Sequence, residues 1–411
     1  MKRPIFIIVG IILVIVLVSI WVYVLIGGDI SPDKKYSDLN FENTTDPVAE
    51  VPWEGSSNQE EQIVNIGKSS RLKQLTTVPV AGFQEIKLTS SSTPEVYYTE
   101  IGTGHIFSIN LETGQERRVS GTTVPATERV VITNNGRFAF IKSGFGGNNL
   151  FEVAEIFTED DSLLKSTVVG DVVDFTTTTD NTFLYAVRIN NSVVAKEYSP
   201  VNKKTTDLFT IPFSEVKIVW GKTAKSAHYV YPKANSALEG YLYEIIGSKI
   251  KRLPVAGFGL TAVGNNDYIL SGSQINGTYG TSIYVKAKDM SVDFFETVLP
   301  DKCVLLNFEA NFVCAVPDSP IKSDSPDSWY QGVTTYSDNL WEVNPESGEL
   351  TLLLKIEEDS GRKLDIINPL PNIANNNLYF QNKNDQTLWS FELQSLEVFP
   401  DEISPEEEGN Q

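Results

Sequence analysis

Two cysteines, two histidines and two methionines in 411 residues leave little material for metal or redox chemistry. The histidines, His105 and His228, are far apart, and each opens a strand-like run, where an isolated imidazole serves as a hydrogen-bonded structural group. No Cys/His cluster has zinc-ligand spacing, and no D-x-D-x-D-G calcium loop occurs. The chain also lacks a G-x-S-x-G elbow, a P-loop, a Rossmann glycine fingerprint and an H-E-x-x-H helix. No catalytic residue, metal or cofactor is therefore assigned. Basic residues are few: 33 Lys and Arg against 53 Asp and Glu give a net charge of −20. That balance excludes nucleic acid as a partner, because phosphate binding needs cations to displace counterions. Runs of helix-forming Ala, Leu, Glu and Lys are scarce as well. Val, Ile, Thr, Tyr and Phe dominate, the composition of half-buried pleated surfaces.

The charge is uneven. Residues 27–68 carry nine acids and three bases, and 398–411 carry five acids and no base. One long apolar run stands apart from both, PIFIIVGIILVIVLVSIWVYVLI at 4–26. As a helix it spans roughly 34 Å, enough for a hydrocarbon core of about 30 Å. It is too long for a signal-peptide core and no Ala-x-Ala site follows it. Lys2 and Arg3 place the three-residue tip, 1–3, in the cytoplasm by the positive-inside rule. The expectation is an uncleaved, single-pass signal anchor at 4–26 in the cell membrane, with the rest of the chain extracytoplasmic. Residues 27–68 are polar, acidic and free of apolar periodicity, and read as a flexible tether. The stretch 398–411 reads as a disordered acidic tail on the same grounds.

Between tether and tail a unit recurs. An apolar strand, a short Asn/Gly/Asp turn and a second strand are followed by a third strand with aromatic alternation, a turn and a fourth strand. IFSINLETGQERRVS (106–120) and LWEVNPESGELTLL (340–353) are the clearest third-and-fourth pairs, with Gly114 and Gly348 in equivalent turns. Alternation buries one side of each strand, and Gly and Asn supply the positive φ of tight hairpins. The units repeat about every 46 residues, and a four-stranded period of 40–50 residues is the mark of a propeller. The expectation is an all-β, seven-bladed β-propeller of four-stranded blades over 69–397. PVAGF, which occurs at 79–83 and again at 254–258, reads as the joint between one blade's outer strand and the next blade's inner strand. RLKQLTT (71–77) precedes the first inner strand without a blade of its own, so it is expected to complete the last blade and remove an open edge.

These units, VVITNNGRFAFIKSG and LETGQERRVS among them, resemble extracytoplasmic TolB-like and WD-repeat-like β-propellers. The Trp-Asp dipeptides of WD repeats are missing. NFVCAVPDSP and DSWYQGVTTYSDNLW are also similar to anchored propellers of bacteria, which implies a bacterial envelope protein and supplies no activity.

Two features remain. Cys303 and Cys314 frame CVLLNFEANFVC, a hairpin with its turn near Glu309, and would face each other across it. An even count outside the cytoplasm favours a disulfide; two buried thiols or a redox centre are the alternatives. The segment 317–338 joins second to third strands through about 20 residues, where other units use roughly 4–12, and long loops in compact domains tend to be functional. It carries Asp324, Asp327, Trp329, Tyr330 and Gln331, and should share a face with the blade-to-blade joints and with the loops at 143–149, 232–240 and 271–282. Trp329 and Tyr330 then form contacts for a protein or glycan, or Trp329 folds back as a plug. The leading functional expectation is a tethered scaffold or surface-ligand-binding module with an envelope protein partner. The alternatives are an enzyme acting on glycan or peptide through carboxylates such as Asp324 and Asp327, which would have to flank a cleft, and a structural part of the cell surface.

Overall fold

The computed structural model describes residues 71–393, apart from 87–92, 146–147, 295, 307–310, 373 and 375. The expected anchor at 4–26, the tether at 27–68, the tail at 398–411 and the turn near Glu309 all lie outside the described residues. Among the described residues, no helix is long and apolar enough to cross a membrane.

What is described is almost entirely antiparallel β-structure. The strands Val80–Ile86, Glu95–Glu100, Ile106–Asn110 and Glu116–Ser120 pair in sequence order as one four-stranded sheet. Sheets of the same design follow over 127–167, 171–211 and 303–354. Each is a meander, so local hairpins build it without long crossovers. Between the third and the next four-stranded sheet lies a seven-stranded sheet over 216–293. Its central strand, Lys249–Gly264, is 16 residues long. The first part pairs with Glu239–Ile246 and the last part with Tyr268–Ile275, with Phe258 opposite both Glu239 and Gln274.

The final sheet joins distant parts of the chain. Ile366–Pro371, Asn377–Asn382 and Leu388–Glu392 are completed by Leu72–Gln74, in register Leu72↔Phe391, Lys73↔Ser390 and Gln74↔Trp389. RLKQLTT thus supplies the outer strand that the last unit lacks, as the sequence leads one to expect. The cores agree. Leu72 packs with Trp389, Phe391, Ile366 and Val313, while Leu75 and Val80 pack with Tyr379, Leu388 and Tyr98. One short segment is therefore fixed between last-sheet and first-sheet side chains, and burying each large apolar group there contributes about 1.5–3 kcal/mol.

The repeat is visible atom by atom in its turns. Asn110 Oδ1 accepts the N–H groups of Glu112 and Thr113, and Gly114 N–H bonds to the Asn110 carbonyl. Asn344 does the same for Glu346, Ser347 and Gly348. Gly114 and Gly348 sit at φ 71° and 72°, the left-handed region that a Cβ disfavours.

Both copies of PVAGF lie, as expected, at the passage from an outer strand to the next inner strand, but they are not in step with each other. At 79–83 it opens a first strand, and Gly82 lies so close to the Val130 carbonyl that a Cβ has no room. At 254–258 it still belongs to the outer half of the long strand, where Ala256 pairs with Tyr241 and Gly257 with Gly240. Here a Cβ on Gly257 would strike Ser273. The two copies use glycine for close approach to different neighbours and are offset by several residues in the repeat. The identity of sequence is not an identity of position.

Candidate functional site

In every meander the start of the first strand, the end of the second and the start of the third lie at one end of the sheet. Asp301 and Lys302 precede the first strand Cys303–Leu305, and Asp338 opens a third strand opposite Pro317. Asp365 precedes Ile366–Pro371, and Lys383 follows Asn377–Asn382. This topology gathers five charged residues, remote in sequence, at one end of two neighbouring sheets.

Lys302 is completely buried, and so are its partners. Its ammonium pairs with Asp338 at 2.5 Å and with Asp365. Asp338 Oδ2 also accepts the Ile366 N–H at 2.7 Å, whereas its Oδ1 has no hydrogen-bond partner. Burial raises the Asp338 carboxyl to about 6, against the pull of Lys302 and with the help of the Asp365 charge. Lys383 lies 3.9 Å from Asp365, and burial lowers its ammonium below the usual lysine range.

The long segment 317–338 is built on this network. Trp329 sits in the short helix Asp327–Tyr330 and donates its indole N–H to Asp365 at 3.0 and 3.1 Å. The Tyr336 N–H reaches the same carboxylate at 3.2 Å. Lys383 donates to the Trp329 carbonyl at 2.5 Å and to that of Thr334 at 3.3 Å, and lies over the indole ring at 4.7 Å. Trp329 is only 4% exposed. Of the two positions open to it from the sequence, the buried one is observed. An indole with a polar edge is stable there because Asp365 satisfies its donor and two cations face its ring.

The remaining loop residues divide into ties and tip. Asp327 accepts the Ser236 N–H at 2.9 Å and its hydroxyl at 2.7 Å, and Gln274 donates to the carbonyls of Ser323 and Ser325. The loop therefore meets the connection after His228–Pro232 and the strand Tyr268–Ile275; the loop expected at 271–282 is instead a hairpin, two strands joined by the tight turn Asn276–Gly277. Asp324 is exposed and holds the Ser328 hydroxyl at 2.9 Å. Asp324 and Asp327, considered from sequence as reactive carboxylates, thus serve as hydrogen-bond acceptors that brace the loop. Tyr330 is half exposed, with its hydroxyl turned in to Asp301 at 2.6 Å, and burial of that end pushes the phenol well above its usual range. Gln331 and Gly332 are exposed, and Val333 is 74% exposed.

Alongside lies a cavity of about 530 Å³ between first strands of several sheets, lined by 80–84, 128–132, 176–177, Lys217 and 368–370 with Gln381 and Gln386. Among the described residues no group of three or more His, Cys, Asp or Glu is placed to hold a metal ion. His228 is buried and accepts the Gly221 N–H, and burial lowers its imidazole. Cys303 and Cys314 are directly opposite and bonded. The described residues thus form a cross-braced loop with an exposed tip and, beside it, a cavity of mixed polar and apolar lining.

No protein-family model and no curated protein matches the chain. Solved structures do. An oligogalacturonate lyase from Vibrio parahaemolyticus superposes with TM-score 0.51 at 10% identity, covering 80% of this chain and 96% of its own. An oligogalacturonate lyase in complex with manganese gives 0.51 at 9%, over 82% and 96%. The chain is a β-propeller. The β-propeller domain of the trilobed protease from Pyrococcus furiosus is also similar, at TM-score 0.48, 10% identity and coverage of 77% and 96%. At these identities the likeness to the lyases extends to the fold alone. The Lys302 network was missed from sequence because its members are separated by 36 and 27 residues and look like ordinary surface charges; only their shared place in the repeat, each just before or at a strand start, marks them.

Proposed function

We propose that this propeller has seven blades, is held outside the cytoplasm by the apolar segment 4–26, and captures an envelope protein or surface ligand on the face that carries its long loop. The blade count treats the seven-stranded sheet as two blades sharing the strand Lys249–Gly264, and closure through Leu72–Gln74 supports a complete ring. The anchor rests on the length and apolarity of 4–26 and on Lys2 and Arg3 ahead of it.

The observation that carries the binding role is the contrast within the loop. Its base is buried and cross-braced, yet its tip, 330–333, presents an exposed tyrosine and valine. Backbone bonds fix that tip: Gln331 to Asp327, Gly332 to Trp329, and both Val333 and Thr334 to Ser328. A preordered apolar tip loses little entropy on binding. Leu238, on a connection, and Phe258 and Ile275, on neighbouring strands, are also exposed toward the loop's end of the sheets.

Co-purification of the full chain from membranes tests this. Val333→Asp and Tyr330→Ala should each reduce recovery of the partner about tenfold or more, as expected for contacts worth at least about 1.4 kcal/mol. Undiminished recovery with both variants would remove this face from consideration. Protease added to intact cells that possess a single membrane should release the propeller; protection until lysis would overturn the orientation.

A further inference from the structure

The cavity wall holds several charges, and all but one are closely paired. Glu128 pairs with Lys142 at 2.6 Å. Arg129 donates to Asp174 at 2.7 Å and to the Phe175 carbonyl at 2.8 Å. Lys217, on the strand Val216–Val219, lies 3.7 Å from Asp301, beyond hydrogen-bond length. Asp301 is held by the Tyr330 hydroxyl on its other oxygen. Lys383 is similarly far from its carboxylate but has two backbone carbonyls; among the described residues Lys217 has no such acceptor.

Beside it, the hydroxyls of Thr176 and Thr177 make only long bonds, 3.5 and 3.4 Å, to main-chain carbonyls. Lys217 and these two hydroxyls are thus donors weakly engaged and open to a better acceptor, set among apolar groups such as Val80, Phe83 and Leu370. A volume of about 530 Å³ falls in the range of small-ligand pockets, about 300–1,000 Å³.

We propose that this cavity binds a small oxyanion, a carboxylate or phosphate rich in further oxygen acceptors, with its charged end on Lys217. A charge-assisted bond to the half-exposed Lys217 ammonium is about twice as strong as a neutral one. The chain as a whole carries −20, so its long-range field opposes an anion and the affinity has to arise from these local donors.

Isothermal titration of the detergent-solubilised full chain with sodium gluconate, inorganic phosphate and neutral glucitol tests the site. At least one anion should bind saturably and glucitol should not; which anion binds identifies the charged group. Lys217→Gln should weaken binding about tenfold or more, Lys217→Arg should retain it, and the unfolding midpoint should stay within error for both. Silence from both anions, equal binding of glucitol, or wild-type affinity in Lys217→Gln overturns the proposal. No protein partner enters the measurement, so its result is separate from that of partner capture.

Discussion

Asp301 and Lys302 are neighbours in the chain and opposites in the fold. Lys302 turns into a fully buried site, where two buried carboxylates hold it and the main chain and Trp329 hold them. Asp301 is held closely by Tyr330 and only loosely by Lys217, which lines the cavity. The first arrangement costs desolvation and stands only because nearly every polar atom is met, so it fixes structure. The second leaves an ammonium with capacity to spare, so it can change partners. One peptide bond separates a clamp from the carboxylate that partners a candidate binding group.

The largest effect that would sharpen this contrast is on the buried side. Lys302→Met should strand two buried carboxylates and cost about 3–5 kcal/mol, read by urea unfolding; a loss under about 1 kcal/mol would put Lys302 in the same class as Lys217. Next is pH. Because burial holds Asp338 at about 6 rather than 3.8, the native state binds a proton more readily than the unfolded chain. This group's contribution is therefore fully present below the unfolded value and lost as pH rises through about 6, a change of up to about 3 kcal/mol. Subtracting the pH dependence of Asp338→Asn from that of the parent between pH 4 and 7 isolates it. Parallel curves for the two proteins would break the assignment.

The Cys303–Cys314 bond closes a loop with a sequence separation of 11, and its removal in a double Cys→Ala variant should cost about 2–3 kcal/mol in thermal unfolding. Trp329→Phe keeps an aromatic ring of smaller size and removes the donor to Asp365, so a loss of at least about 1–3 kcal/mol is expected in the same assay. Val333→Ser at the exposed tip should stay within about 0.5 kcal/mol of the parent. A larger loss there would mean that the tip is packed and not presented.

Much of the fold was legible in the sequence because it is written locally. Asn110 and Gly114, Asn344 and Gly348 declare their hairpins through backbone conformation and side-chain bonds within five residues. The closure by RLKQLTT was legible by arithmetic, a strand without a sheet and a sheet without a strand. Cys303 and Cys314 could be paired because a symmetric hairpin sets them opposite each other. The loop was recognisable by length, but not the fate of Trp329, since burial depends on Asp365, Lys302 and Lys383 brought from other strands. PVAGF marked the strand-to-strand joint in both places without marking one equivalent position. A pentapeptide records what neighbours demand of a glycine, and different neighbours made the same demand twice.

The closing strand has a mechanical consequence. Leu72–Gln74 is three residues long, and Arg71 adds a bond to the Glu392 carbonyl and a contact over the Phe391 ring. Tension arriving along the chain ahead of residue 71 meets this seam before any other part of the sheet system. The seam is therefore expected to be the fuse of the molecule, parting from Trp389–Phe391 before the sheets behind it under load applied there.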